Sequence, residues 1–312
     1  MIAGVASVMR AERREMIARG ALPAYYVVGV SLLATIGLCL ATGFSITIEA
    51  LTLFWVWPFL CLAGMLARRI HFGRIGDALE GIGLFYGVGL TLLYAHFPLA
   101  AISGPYVDGM LAEWDSWLGL DWPSYTAAIA PYTRWLIPFY GSLKWQPALL
   151  AIALVAAKQP DRIWTFALAC ALGSTMAALL FPLFPAKGVY LYHDVVADYP
   201  DLAKQGTWRF ERTIEHFRNG GRVISTEWFE GLVSFPSIHA MVAVQWTVAA
   251  WTVRWLRVPF LLLNTGLLVA TPVIGAHYFV DVFAGAALGV FAIVIASFVR
   301  SNSRGHFLRA TP

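Results

Sequence analysis

The sequence predicts an all-α fold, a polytopic membrane helical bundle of about eight transmembrane helices. Composition is the first reason. Of 312 residues, 59% are hydrophobic and 13% charged, and the mean hydropathy is +0.67, which leaves too little polar surface for a water-soluble globule. The second is a series of apolar runs near 23–42, 48–67, 78–98, 135–157, 163–184, 237–254, 258–276 and 281–299. Each is close to the roughly 17–25 residues that cross a hydrocarbon layer about 30 Å thick.

The third is the distribution of charge. With the amino terminus placed in the cytoplasm, the segments assigned to that side hold 14 of the 22 Lys and Arg residues. These include Arg10, Arg13, Arg14 and Arg19 before the first run, Arg68, Arg69 and Arg74 after the second, and Arg300, Arg304 and Arg309 after the last. The segment 99–132 on the opposite side carries Asp108, Glu113, Asp115 and Asp121 and no base. By the positive-inside rule both termini are therefore cytoplasmic. The net charge of +4 is scattered in short clusters rather than gathered in a stripe, so no nucleic-acid partner is expected.

Residues 5–19 read either as a basic helix on the cytoplasmic membrane surface or as a solvated charged face. The first apolar run exceeds the core of a secretory signal, so a retained anchor is expected. The fourth run is interrupted by Pro138, Gly141, Lys144 and Pro147. Residues 1–77 are thus expected to hold the surface segment and two accessory spans, 78–300 a six-helix core, and 301–312 a cytoplasmic tail. Within the core, 99–134 reads as interfacial helices with Trp114, Trp117, Trp122 and Tyr125 at headgroup level. Residues 186–235 read as an ordered outer cap, because so long a loop that keeps many aromatics is seldom idle. Cys39, Cys61 and Cys170 all lie in apolar runs with no metal-clip spacing, which points to neither disulfides nor zinc.

The chemistry is carried by Ser234-Phe235-Pro236-Ser237-Ile238-His239 and, 38 residues after His239, by His277-Tyr278-Phe279-Val280-Asp281. Both sit at the non-cytoplasmic rim of an apolar run, where polar groups are costly without a function. Pro236 suits the first turn of a helix, which places Ser237, His239 and free backbone N–H groups where a phosphate oxyanion binds. His277 and Asp281 are four residues apart, so on a continuous helix the carboxylate holds one imidazole nitrogen and leaves the other nucleophilic. Gly285 and Gly289 form a GxxxG face for close helix packing. His71, His96, His193, His216 and His306 have no comparable setting and are given no catalytic role.

These two motifs resemble the second and third signatures of the type 2 phosphatidic acid phosphatase superfamily. The wider strings are similar to the branch that includes inositol phosphorylceramide synthases and bacterial relatives. Similarity to bacterial members extends to Asp115-Ser116-Trp117-Leu118-Gly119-Leu120-Asp121-Trp122-Pro123 and Thr271-Pro272-Val273-Ile274-Gly275. The resemblance implies metal-independent phosphoryl transfer, with no cofactor, through a phosphohistidine. His277 attacks phosphorus, Asp281 orients it, His239 protonates the departing oxygen and Ser237 binds a phosphate oxygen. It also implies a bacterial inner membrane with the site on the extracytoplasmic side.

Two departures from the family pattern stand out. Thr271 occupies the place of an arginine six residues ahead of the second histidine, and the first signature, Lys-x6-Arg-Pro, is absent in that form. Among outer-side bases, Lys187, Arg218 and Arg222 are the candidate phosphate ligands, against the simpler reading of solvated loop charges. Three functions remain open on the residues: a lipid phosphatase, a lipid phosphotransferase with a lipid or polyol acceptor such as the inositol phosphorylceramide synthase type, and a non-enzymatic transporter or scaffold. If the two imidazoles are base and acid, activity is expected to be bell-shaped with pH.

Overall fold

The computed structural model describes residues 20–203 and 210–310, so the surface segment expected at 5–19 lies outside the described residues. The chain runs through α1 (Leu22–Ala41), strand β1 (Ser45–Ile46), α2 (Ile48–Phe54), α3 (Val56–Arg69) and α4 (Gly73–Ala101). Next come α5 (Asp108–Trp117), α6 (Trp122–Ile129), α7 (Thr133–Gly141), α8 (Gln146–Ala156) and α9 (Asp161–Leu180). Short helices α10 (Val189–Tyr192), α11 (Pro200–Ala203) and α12 (Phe210–Arg218) with strand β2 (Val223–Ile224) make the long loop. The last three helices are α13 (Ile238–Ala250), α14 (Arg257–Ile274) and α15 (Phe279–Ala310).

This is an all-α membrane bundle. Among the described residues six helical segments are long and apolar enough to cross a bilayer: Leu22–Ala41, Ile48–Arg69, Gly73–Ala101, Asp161–Leu183, Arg254–Ile274 and Phe279–Ser301. Two of the eight expected spans are shorter. The run 135–157 divides into α7 and α8 around a 3-10 turn at Ser142–Lys144, and Pro147 opens the new helix where its missing N–H breaks no bond. The run 237–254 yields the 13-residue α13 only. Apolar composition set the expected lengths, whereas continuity of backbone hydrogen bonding set the actual ones.

At the centre lies α9, packed against α1, α4, α13 and α15. Its buried face is built from small side chains such as Ala167, Ala171, Gly173, Ser174 and Ala177. Between helices in lipid, close van der Waals packing replaces the hydrophobic drive that assembles soluble cores. Polar contacts supplement it: the Gln245 amide donates to the Ala169 carbonyl at 3.1 Å, and the Cys170 thiol donates to Gln245 Oε1 at 3.0 Å. The tightest contact joins α13 and α15. A Cβ on Gly285 would collide with the Ser237 carbonyl oxygen, and one on Gly289 would lie 2.6 Å from that of Met241.

The connecting segments sort to two ends of the bundle. At one end Gly104 N–H meets the Pro182 carbonyl, Val107 N–H meets that of Pro185, and Ser45 and Ile46 pair in parallel with Val223 and Ile224. At the other end Gly20 lies against Arg300, and Gln159 donates to the Thr252 carbonyl. Fully buried Glu80 there meets Arg68 and the Tyr25 hydroxyl, joining α1, α3 and α4. Both histidine motifs lie at the first end.

Replacing Gly289 by Leu is expected to force α15 off α13 and cost about 1–3 kcal/mol, the range for overpacked interiors. Thermal unfolding in detergent checks this; an unchanged midpoint would refute the close contact.

Candidate functional site

Two non-helical junctions and the two helix starts that follow them build the site. Pro236 precedes the helix rather than entering its first turn. Ser237 is the N-cap of α13, with extended backbone and a hydroxyl accepting from Ala240 N–H at 3.4 Å. His277 is not on a helix with Asp281, as its spacing suggested. It lies in the irregular link Ala276–Tyr278 between α14 and α15, where Ala276 takes a left-handed backbone, and Asp281 belongs to the first turn of α15. The contact forms because the carboxylate reaches back over the helix start, as capping acids do.

That carboxylate is fully buried, and its Oδ2 collects three donors. Ser234 Oγ donates at 2.6 Å, Tyr278 N–H at 3.0 Å, and His277 Nδ1 lies at 3.2 Å. With Nδ1–H pointing at Asp281, the lone pair of His277 sits on Nε2. That nitrogen lies 3.4 Å from Ser237 Oγ, directly at the start of α13. The Ser237 amide in turn donates to the Asp281 carbonyl at 2.9 Å, so the two motifs are also joined backbone to backbone.

In the first turn of α13, the His239 ring stands with its centroid 6.2 Å from that of His277. Its other face stacks on Tyr140 of α7 at 4.2 Å and 14°, and the Tyr140 hydroxyl lies 3.3 Å from His239 Nδ1. Ser237, His239, His277 and Asp281 therefore form one cluster. The two imidazoles and the Ser237 hydroxyl thus meet at the amino-terminal end of α13, where a helix start favours an anion.

The three basic candidates are placed differently. Lys187 follows α9; its backbone N–H and that of Gly188 bond the two oxygens of Asp108 at 3.0 and 3.1 Å. The same carboxylate accepts from the hydroxyl of Tyr278, the neighbour of His277, at 2.9 Å. Lys187 is thus tied to the histidine link through Asp108, and its half-buried ammonium makes no hydrogen bond or ion pair among the described residues. The Arg218 guanidinium is occupied by Ser103 Oγ, the Gly104 carbonyl and Glu215, and lies over the Tyr106 ring. Arg222 donates to the Phe217 and Gly221 carbonyls and lies over Phe44. Neither arginine contacts the histidine cluster; both brace the long loop. Thr271 is buried, with its hydroxyl on the Leu267 carbonyl, so no cation replaces the family arginine at that position.

A model of the PAP2 superfamily matches residues 109–295. The chain belongs to the PAP2 superfamily. No curated protein and no solved structure matches it. The matched stretch of this PAP2 protein includes every residue of the cluster, and α1 to α4 precede it. Among the described residues, no three His, Cys, Asp or Glu side chains gather to hold a metal ion.

Sequence reasoning gave no role to Tyr140, to Ser234 at the head of the first motif, or to the two aspartates of α5. Asp108 and Asp115 are seven residues apart, two helical turns, on a segment with no base to balance them, which was a legible signal. Asp115 accepts from Phe279 N–H at 2.9 Å and Val280 N–H at 2.7 Å, satisfying the free amides at the start of α15 from another helix. Tyr140 gave no signal, because it lies in the span whose continuity was broken.

Burial pushes the Asp115 carboxyl up from 3.8 to about 6, against the lowering effect of the Phe279 and Val280 amides. A carboxyl raised in the folded state favours folding below its unfolded value and loses that contribution as pH rises through the folded one. Stability of the wild type relative to Asp115→Asn is therefore expected to grow as pH falls from about 7 to about 4. Asp115→Ala, which strands two buried amides, is expected to cost about 1–3 kcal/mol at any pH in this range. Unfolding midpoints of the three proteins across pH provide the check; a pH-independent gap between wild type and Asp115→Asn would rule out the raised value.

Proposed function

We propose that this PAP2 protein transfers a phosphoryl group from a membrane lipid phosphate through a phosphohistidine on His277. The observation that carries the reading is the pairing of His277 Nε2 with the Ser237 N-cap, while Nδ1 is held by a fully buried carboxylate. Superfamily membership supports a phosphatase or phosphotransferase type of function.

In this reading Nε2 attacks phosphorus in line with the departing alkoxide. The P–N bond forms as the P–O bond breaks, and Asp281 stabilises the positive charge that develops on the imidazole. The equatorial oxygens of the transition state take the Ser237 hydroxyl, the first amides of α13 and the Lys187 ammonium. His239 gives its Nε2 proton to the leaving oxygen. It does so as the imidazolium and keeps its Nδ1–H, which donates to the Tyr140 phenol oxygen and so fixes the tautomer. An incoming hydroxyl, deprotonated by His239, attacks phosphorus in the second step and releases His277. With water the product is inorganic phosphate; with a lipid or polyol hydroxyl it is a new phosphoester. The arrangement of basic segments supports an extracytoplasmic site.

Incubating the purified protein with lipid extract labelled at phosphorus tests the proposal and reveals the acceptor. Label is expected to leave as inorganic phosphate or move to a second lipid, and acid-labile, base-stable label is expected on the protein during turnover. His277→Asn should lower the rate by at least about 10³-fold; residual turnover near wild type would overturn the nucleophile. Tyr140→Phe keeps the ring stack but removes the hydroxyl, and kcat should fall about tenfold for an alkyl phosphate. The defect should shrink for p-nitrophenyl phosphate, whose leaving group needs no proton. Equal defects on both substrates would refute the role given to Tyr140.

A further inference from the structure

The two helices that carry the site meet tightly at one end and part at the other. Gly285 and Gly289 hold α15 against Ser237 and Met241 of α13. Beyond that contact α13 ends early. Its 13 residues reach roughly 20 Å, less than the 20 residues of the neighbouring α9. Where its last turns would have packed, a cavity of about 550 Å³ opens between α9, α13 and α15.

The lining of this gap is unlike that of an ordinary packing defect. Arg162 and Thr165 contribute from α9, Thr247 from α13 with Trp251 just after it, and Ser297 and Arg300 from α15. Arg300 is buried, and its guanidinium bonds the Thr165 hydroxyl within the gap. Hydroxyls and guanidinium groups line it, while Val248 and Trp251 at its edge are 41% and 47% exposed on the outer surface of the bundle. In a bilayer such a rim faces acyl chains, and tryptophan favours the depth of the headgroups.

We propose that this gap seats the phosphate of an anionic membrane lipid, at the end of the bundle away from the catalytic histidines. The guanidinium groups of Arg162 and Arg300 neutralise the phosphodiester, the threonine and serine hydroxyls donate to its oxygens, and the acyl chains lie along Val248 and Trp251. Basic pockets between helix ends at the membrane surface bind lipid headgroups by this combination of charge and apolar contact. The seat is separate from the phosphoryl-transfer reading and does not depend on it. It wedges apart the far ends of the two helices whose near ends hold Ser237 and Asp281.

The test uses the full chain in neutral detergent, in a His277→Asn background so that no lipid is consumed. Thermal midpoints are titrated with phosphatidylglycerol, with phosphatidylcholine and with inorganic phosphate. Phosphatidylglycerol is expected to raise the midpoint saturably, and the other two to leave it in place. Arg162→Gln, at an exposed side chain, should weaken the apparent affinity about fivefold. Ser297→Trp, which fills the gap, should abolish the shift while the midpoint without lipid stays measurable. A phosphatidylglycerol shift that both variants retain would place the lipid elsewhere and overturn the proposal. So would an equal response to phosphatidylcholine, and an equal response to inorganic phosphate would overturn the assignment to a lipid.

Discussion

One oxygen atom, Oδ2 of Asp281, is the point on which the arrangement of the site depends. Ser234, Tyr278 and His277 all meet it, and each comes from a segment with no regular structure of its own. A buried carboxylate is costly to desolvate, and three donors on one oxygen offset that cost while fixing where each donor can lie. The loop before α13 and the link before α15 are thereby held to one geometry. That anchor, together with the Ser237 amide on the Asp281 carbonyl, keeps the N-cap serine and His277 Nε2 facing each other.

Around this centre, α5 acts as a clamp. Asp115 takes the amides that open α15, and Asp108 takes those of Lys187 and Gly188 together with the Tyr278 hydroxyl. Two acids on one short helix thus bind the chain after α9 and the link after α14 into one wall. Trp122 and Tyr190 extend it, donating to the Pro272 and Val273 carbonyls at 3.1 and 2.7 Å. These carbonyls lie near the end of α14, where helical acceptors run out of partners, and the aromatic donors satisfy two of them.

Much of this was legible in the residues. Hydropathy located six long helices, and the two histidine motifs named the four side chains that converge. The glycine pair Gly285 and Gly289 was read as a packing face, and it is the contact between the two helices that carry those motifs. Less was legible where local pattern and tertiary context diverge. The spacing of His277 and Asp281 suggested a shared helix face, but the helix starts between them, and the same contact arises from a capping geometry that periodicity does not encode. Arg218 and Arg222 were candidate phosphate ligands, but Glu215 and the Ser103, Gly104, Phe217 and Gly221 oxygens occupy them, and apart from Glu215 these acceptors are main-chain or small neutral groups that carry no charge signal. Tyr140 was hidden by the turn that interrupts its span.

The two-residue ladder between β1 and β2 has a mechanical consequence. It ties the turn after the first helix to the segment that follows α12, and Phe44 reinforces it by packing on Phe217 with ring centroids 5.6 Å apart. The long loop is therefore fastened, some three-quarters of the way along it, to the turn between α1 and α2, outside the stretch that matches the family. It cannot swing as a free flap hinged at its own two ends, because opening there must carry that turn along.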